Sequence, residues 1–200
     1  MSIVEKFAVI GLGNPGSQYQ NTRHNLGFWL LDALAEREDI SFKLNKKYHA
    51  EMAQMQRKES LFVLVKPLTY MNESGKFLSS LLSYTNCRPE ESVVLHDEIA
   101  FPLGEAKVSR NKGAGGHNGV KSVISSIGSA FVRFRIGIGG KAHDGVDLAD
   151  HVLSKISADD WSHLQTRKAF LCESLLNLLD NGVDAAMNLI NQTKPAPQSL

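Results

Sequence analysis

Apolar runs of strand length alternate with longer stretches of helical period along this chain, and few folds accommodate that rhythm. The strand-like runs are 7–11, 50–56, 61–66, 93–96, 105–109 and 133–139; the alternation over 50–56 is loose. Helical patterning is predicted for 25–37, 74–84, 118–127 and 159–179. In the last of these, Trp161, Leu164, Leu171, Leu175, Leu178 and Leu179 fall on one stripe. Asp159 or Asp160 is its expected N-cap, and Gly182 ends it before a restart over 183–190. The expectation is a single-domain α/β fold with a central mixed, mostly parallel β-sheet flanked by helices. The domain is expected to span 1–192, followed by a flexible, proline-containing tail over 193–200.

Several function classes fall away on composition. A chain that is 42% hydrophobic and 22% charged matches ordinary globular proteins. Its longest apolar runs, such as 61–65, are far short of a membrane span, so no membrane association is expected. The first residues lack the basic-then-apolar order of a secretory signal, which makes the cytoplasm the expected compartment. Cys87 and Cys172 are far apart with no CxxC, so neither a disulfide framework nor a cysteine metal site is expected. Charge is more informative. Seven of the 22 Lys and Arg, and none of the 21 Asp and Glu, fall between Ala106 and Lys141: Lys107, Arg110, Lys112, Lys121, Arg133, Arg135 and Lys141. A near-neutral protein with one such segment suits a polyanion docking on one face.

Gly11-Leu12-Gly13-Asn14-Pro15-Gly16 follows the first strand and formally matches the dinucleotide-binding pattern G-x-G-x-x-G. That pattern needs a helix already running at the third glycine and an acid about 20 residues on, at the end of a second strand. Here polar residues 17–25 follow without a helical stripe, and Glu36, Glu38 and Asp39 end a helix instead. The loop is better suited to holding polar side chains at the C-terminal edge of a strand, where α/β folds gather ligands. Asn14, Arg23, His24 and Asn25 are then candidates.

Four blocks carry a family resemblance: residues 11–16 with Tyr19 and Thr22-Arg23-His24-Asn25; Lys66-Pro67-Leu68-Thr69-Tyr70-Met71-Asn72-Glu73-Ser74-Gly75; His96-Asp97-Glu98; and Gly115-Gly116-His117-Asn118-Gly119. In this order and spacing the chain resembles the bacterial-type peptidyl-tRNA hydrolases over about residues 7–190, and 133–139 is similar to the strand that follows in that family. The resemblance implies hydrolysis of N-blocked aminoacyl-tRNA with no metal or organic cofactor. It implies His24 as general base, Asp97 as its partner, and Asn14, Asn72 and Asn118 around the ester and peptide. Tyr19 and Met71 would form the pocket wall. The implied partner is tRNA, through its acceptor stem and attached peptide, and a monomer is expected.

Elementary chemistry is consistent with those roles. A ribose hydroxyl is a fair leaving group, so activated water suffices. A neutral imidazole, with a reference pKa near ~6.5, can accept a proton from water, and a carboxylate on its other nitrogen fixes the tautomer. Side-chain amides can donate to an oxyanion and pair with a peptide backbone without reading its sequence. The rival nucleophiles are poorer: Ser74 lacks a G-x-S-x-G setting, and both cysteines read as core or inert surface. His96 and His117 read as structural neighbours of Asp97 and Asn118, and no histidine pair has metal-ligand spacing such as H-x-x-x-H.

On the tRNA side, Lys107, Arg110, Lys112, Arg133 and Arg135 are candidates to neutralise acceptor-stem phosphates. Arg135 resembles one half of the family's clamp on the tRNA 5′ phosphate; the other half, usually lysine, aligns with Ser109, and Arg110 or Lys112 could substitute. Ala100 stands where the family usually has an acidic or amide residue, and Gly140-Lys141 replaces a basic residue followed by proline.

Overall fold

The computed structural model describes residues 5–140 and 147–192. Its strands are β1 (Glu5–Gly11), β2 (Lys43–Asn45), β3 (Ala50–Arg57), β4 (Ser60–Pro67), β5 (Ser92–Glu98), β6 (Ala106–Arg110) and β7 (Val132–Gly137). Its helices are α1 (Leu26–Arg37), α2 (Leu78–Thr85), α3 (Asn118–Ile127), α4 (Leu148–Leu153) and α5 (Ala158–Ile190). The strands form one sheet in the order β2-β3-β4-β1-β5-β7-β6. The centre, β4-β1-β5-β7, is parallel, while β2, β3 and β6 join antiparallel. The α/β expectation therefore holds, mixed sheet included.

Alternation along the strands sorts the core into two layers. Val9, Leu64, Val93, Leu95, Val132, Phe134 and Ile136 pack with α1 and α5 on one face. Ala8, Ile10, Val63, Val65 and Val94 pack with α2 and α3 on the other. The central strands are apolar on both faces because both are covered. At β7 this breaks: Arg133 and Arg135 occupy the positions that would belong to the second layer.

Differences from the sequence expectation are local. The helix predicted over 74–84 begins only at Leu78, since a 3-10 turn at Met71–Glu73 and the turn after it occupy the preceding residues. Ser157 caps α5, its side chain accepting from the Asp160 N–H, so neither aspartate does. Gly182 does interrupt α5, at φ 80°, where a side chain would be strained. Two elements, β2 and α4, go beyond the sequence expectation; each is too short to show a period. The tail predicted over 193–200, and Lys141, lie outside the described residues.

Two close approaches position the site. An added Cβ on Gly27, in the first turn of α1, would lie 2.5 Å from the backbone of both Leu12 and Leu95. Only glycine lets α1 start against the ends of β1 and β5, which carries the preceding turn, Arg23–Asn25, over β5. Likewise a Cβ on Gly119 would lie 2.3 Å from Met71 Sδ, so α3 begins against the 71–73 turn.

Candidate active site

At the C-terminal ends of β1 and β5 a cleft of about 610 Å³ opens. Ligands gather at this edge because parallel strands end there in loops and helix starts. Asn14, Tyr19, His24, Met71, Asn72, Asp97 and Asn118 all line this one cleft, although they come from four separate stretches of chain. The first stretch contributes through the loop after β1 and the turn before α1, and the others through the turn after β4, the end of β5 and the start of α3.

Asp97 is the hub. Its Oδ1 accepts from His24 Nδ1 at 2.8 Å and from His117 Nε2 at 2.9 Å. Burial alone would push this carboxyl up. The facing imidazoles, His117 first and then His24, outweigh it and hold the group far below the ordinary carboxylate range. Asp97 is thus held toward its anionic form in a buried place.

Hydrogen bonding fixes the tautomers of the three imidazoles. His117 caps α3: its Nδ1 accepts from the Val120 N–H, so its proton sits on Nε2 and points at Asp97. The Nδ1–H of His96 donates to the Asp97 carbonyl oxygen at 2.6 Å, and its Nε2 accepts from Arg133 Nε at 3.0 Å. Burial, with His117 and Arg133 beside it, pushes His96 well below the ordinary imidazole range and keeps it neutral. His24 uses Nδ1–H on Asp97, while its Nε2 has no partner among the described residues. One imidazole nitrogen in the cluster is open, and it belongs to His24.

The amides are oriented with similar care. Asn14 Oδ1 accepts from the Met71 N–H at 2.8 Å, so its NH₂ group remains available to the cleft. Asn25 holds the Asn14 backbone from both sides, accepting from its N–H and donating to its C=O, both at 2.9 Å. Asn25 is therefore a brace for the loop. Asn72 and Asn118 are exposed at the cleft wall.

His24, Asp97 and His117 bring ligand-type atoms within 4.8 Å of one another. Their N–H groups nevertheless point into one shared oxygen at hydrogen-bond distance. A zinc ion bonded at ~2.0–2.2 Å in tetrahedral geometry would hold the nitrogens and oxygen farther apart.

The cations expected at phosphates disperse. Arg135 lies across the sheet from His96 on one side and Lys107 on the other. It faces Glu98 at 3.6 Å and stacks on Phe101, and its Nε is buried without a hydrogen-bond partner among the described residues. Lys107 donates to the Asn191 carbonyl, Arg110 meets Asp184 at 3.1 Å, and Lys112 is exposed. Arg133 departs from the expectation. It is 4% exposed, bonded to His96 and, at 2.5 Å, to the Gly113 carbonyl. Ser109 lies opposite it, its hydroxyl buried and likewise unpartnered.

Three contributors go beyond the sequence reading. His117, expected as a neighbour of Asn118, bonds the carboxylate directly; its place just ahead of a helix start is the available signal. Tyr70 lies inside the 66–75 block without an implied role there, and the apolar wall of Ile99, Leu148, Val152 and Leu153 carries no signal in the sequence. No helix among the described residues is long and apolar enough to cross a membrane.

Residues 8–198 match the family model described as peptidyl-tRNA hydrolase. The peptidyl-tRNA hydrolase of Dichelobacter nodosus is 36% identical over 184 residues, covering 92% of this chain and 97% of that protein. That of Thermodesulfovibrio yellowstonii is 35% identical over 187 residues, covering 92% and 98%. The crystal structure of peptidyl-tRNA hydrolase from Acinetobacter baumannii superimposes with a TM-score of 0.87 at 34% identity, covering 98% of this chain and all of that one.

Proposed function

The chain belongs to the peptidyl-tRNA hydrolase family, and from that premise we propose that it frees tRNA from N-blocked aminoacyl-tRNA with water activated by His24. The observation that carries this reading is the single open imidazole nitrogen, His24 Nε2, in a cleft whose other histidine nitrogens are engaged.

Water attacks the ester carbonyl while His24 Nε2 takes its proton. The imidazolium that forms is stabilised by Asp97 through Nδ1–H, and general-base help of this kind is worth about 10²–10⁴ in rate. The developing oxyanion receives the Asn14 NH₂, already aimed by the Met71 N–H. Collapse expels the ribose oxygen, which takes the proton back from His24. Asn72 and Asn118 pair with peptide N–H and C=O groups, and Tyr19 and Met71 wall the aminoacyl side chain. An unblocked aminoacyl ester lacks the peptide N–H and C=O that Asn72 and Asn118 would pair with, so it is disfavoured.

Phosphates of the acceptor stem fall to Arg135, with Lys112, Lys107 and Arg110 around it. These cations lie on or beside the β6–β7 edge, where salt-sensitive, sequence-independent contacts suit a generic tRNA. The test is turnover of N-acetyl-aminoacyl-tRNA beside the unblocked form. Preferential hydrolysis of the blocked ester is expected; tight tRNA binding without product would replace an enzyme with a binder.

A further inference from the structure

We propose that Arg133 is a positioning residue that acts inward, holding the catalytic carboxylate and the loop carrying His117 in place through His96 and the Gly113 carbonyl. The inference rests on the hydrolase reading above and assigns Arg133 a role other than phosphate contact.

The geometry supports it in three steps. First, the guanidinium is committed. Nε donates to His96 Nε2 at 3.0 Å, NH1 donates to the Gly113 carbonyl at 2.5 Å, and NH2 lies 4.0 Å from Glu98. With a side chain only 5% exposed, it presents no face to a phosphate in solvent. Second, the Nε bond decides what His96 can do. Because Nε2 accepts from arginine, the ring proton must lie on Nδ1, where it reaches the Asp97 carbonyl at 2.6 Å. The peptide unit of the catalytic carboxylate is thereby pinned near the end of β5. Third, Gly113 opens the segment that passes through Gly115 and Gly116, both at positive φ, to His117. Two left-handed glycines make that segment compliant, and a carbonyl anchored by a buried cation limits it. The His96 ring also lies edge-on to His117, with centroids 4.8 Å apart. One buried cation thus braces both approaches to Asp97.

The placement also explains a burial that would otherwise be costly. A desolvated guanidinium needs its donors satisfied, and here the acceptors are a neutral imidazole and a carbonyl, with Glu98 as the nearest anion. Burial lowers the Arg133 pKa, with Arg135 adding to the shift and Glu98 opposing it. Arg133 and Arg135, two residues apart on one strand, are assigned opposite tasks: one inside the fold and one on the substrate.

The experiment compares Arg133→Met with Arg135→Ala on N-acetyl-aminoacyl-tRNA, measuring kcat, KM, tRNA affinity and its salt dependence, with thermal unfolding run beside them. Wild-type turnover is established first; its failure would remove the hydrolase reading and is read separately. Arg133→Met is expected to lower kcat by roughly 10–100-fold, the range for a mispositioned catalytic group, with KM and the salt slope within about twofold of wild type. A weakened tRNA affinity, a shallower salt slope and an unchanged kcat would overturn the proposal. Should Arg133→Met fail to fold, a His96 pair decides. His96→Gln keeps an amide oxygen that can accept from Arg133 and should retain more kcat than His96→Leu. Equal kcat in those two variants would overturn it too.

Discussion

The histidine–aspartate corner and the basic edge of the sheet lie side by side and are built on opposite principles. In the corner, buried His24, His96 and Asp97 and half-buried His117 are hydrogen-bonded into one network, leaving one imidazole nitrogen open among the described residues. Along β6 and β7 the cations are spread out: Arg110 meets the exposed Asp184, Lys107 a backbone carbonyl, and Ser109 and Arg135 keep buried atoms without a hydrogen-bond partner among the described residues. The difference fits the roles proposed for each. Proton transfer tolerates little displacement, so its groups are over-determined. Phosphate binding works through long-range charge, so its groups can be mobile, solvated and interchangeable.

The sharpest way to break this comparison is His24→Ala. Loss of the open nitrogen is expected to reduce kcat by about 10³, inside the span for general-base catalysis, while tRNA affinity stays within about twofold. Single-turnover hydrolysis and filter binding on the same preparation separate the two. A matching loss of affinity would mean that the corner also binds tRNA, and the division between regions would fail.

The pH profile sharpens the same contrast. Because Asp97 stays ionised far below the ordinary carboxylate range, mild acid does not discharge it. Acid does protonate an open imidazole nitrogen, and a protonated Nε2 cannot take a proton from water. The sign is therefore fixed: kcat/KM should fall with falling pH, because a base that has already taken up a proton cannot take one from water. A limb that begins only near the carboxylate range, around ~4, would assign the titration to a carboxyl instead.

Arg135→Ala probes the other region and should do less. Removing one cation from the basic edge is expected to weaken tRNA binding severalfold and reduce the salt slope by about one, with kcat within about twofold at saturating substrate. An unchanged slope would move the phosphates away from the β6–β7 edge.

How legible each region is in the sequence tracks the same division. The corner can be read mainly through the family resemblance: the residues alone single out Asn14, Arg23, His24 and Asn25 after the first strand, while Asp97 enters only with the His96-Asp97-Glu98 block. The sheet is legible from the apolar runs that fill its two faces. The basic edge is legible only as charge. A count of Lys and Arg carries no information about which guanidinium points inward, and Arg133 shows the consequence, since its orientation is set by its cross-strand neighbours and by His96. Short elements such as β2 and α4 escape because three to six residues hold no measurable period, although α4 supplies much of the apolar cleft wall. The role of His117 is hidden by its position, where capping α3 and bonding Asp97 use different ring nitrogens of one side chain.

The smallest expected effect bears on the same corner. His24, Asp97 and His117 are the residue types that hold a zinc ion, and they converge within 4.8 Å. If the cluster held a metal through His24 Nδ1, the nitrogen now bonded to Asp97, that nitrogen would lose its proton. If it works as a hydrogen-bonded base, Nδ1–H must stay on Asp97 so that Nε2 remains the basic nitrogen, as the 2.8 Å contact has it. The two states cannot share one tautomer. Prolonged dialysis against EDTA should therefore leave turnover of N-acetyl-aminoacyl-tRNA within about 20% of the untreated enzyme, the scatter of such an assay, once any Mg²⁺ needed to fold the tRNA is restored. Activity lost to EDTA and recovered with zinc, but not with magnesium, would show that the corner is a metal centre and that its contrast with the basic edge had been drawn on the wrong chemistry.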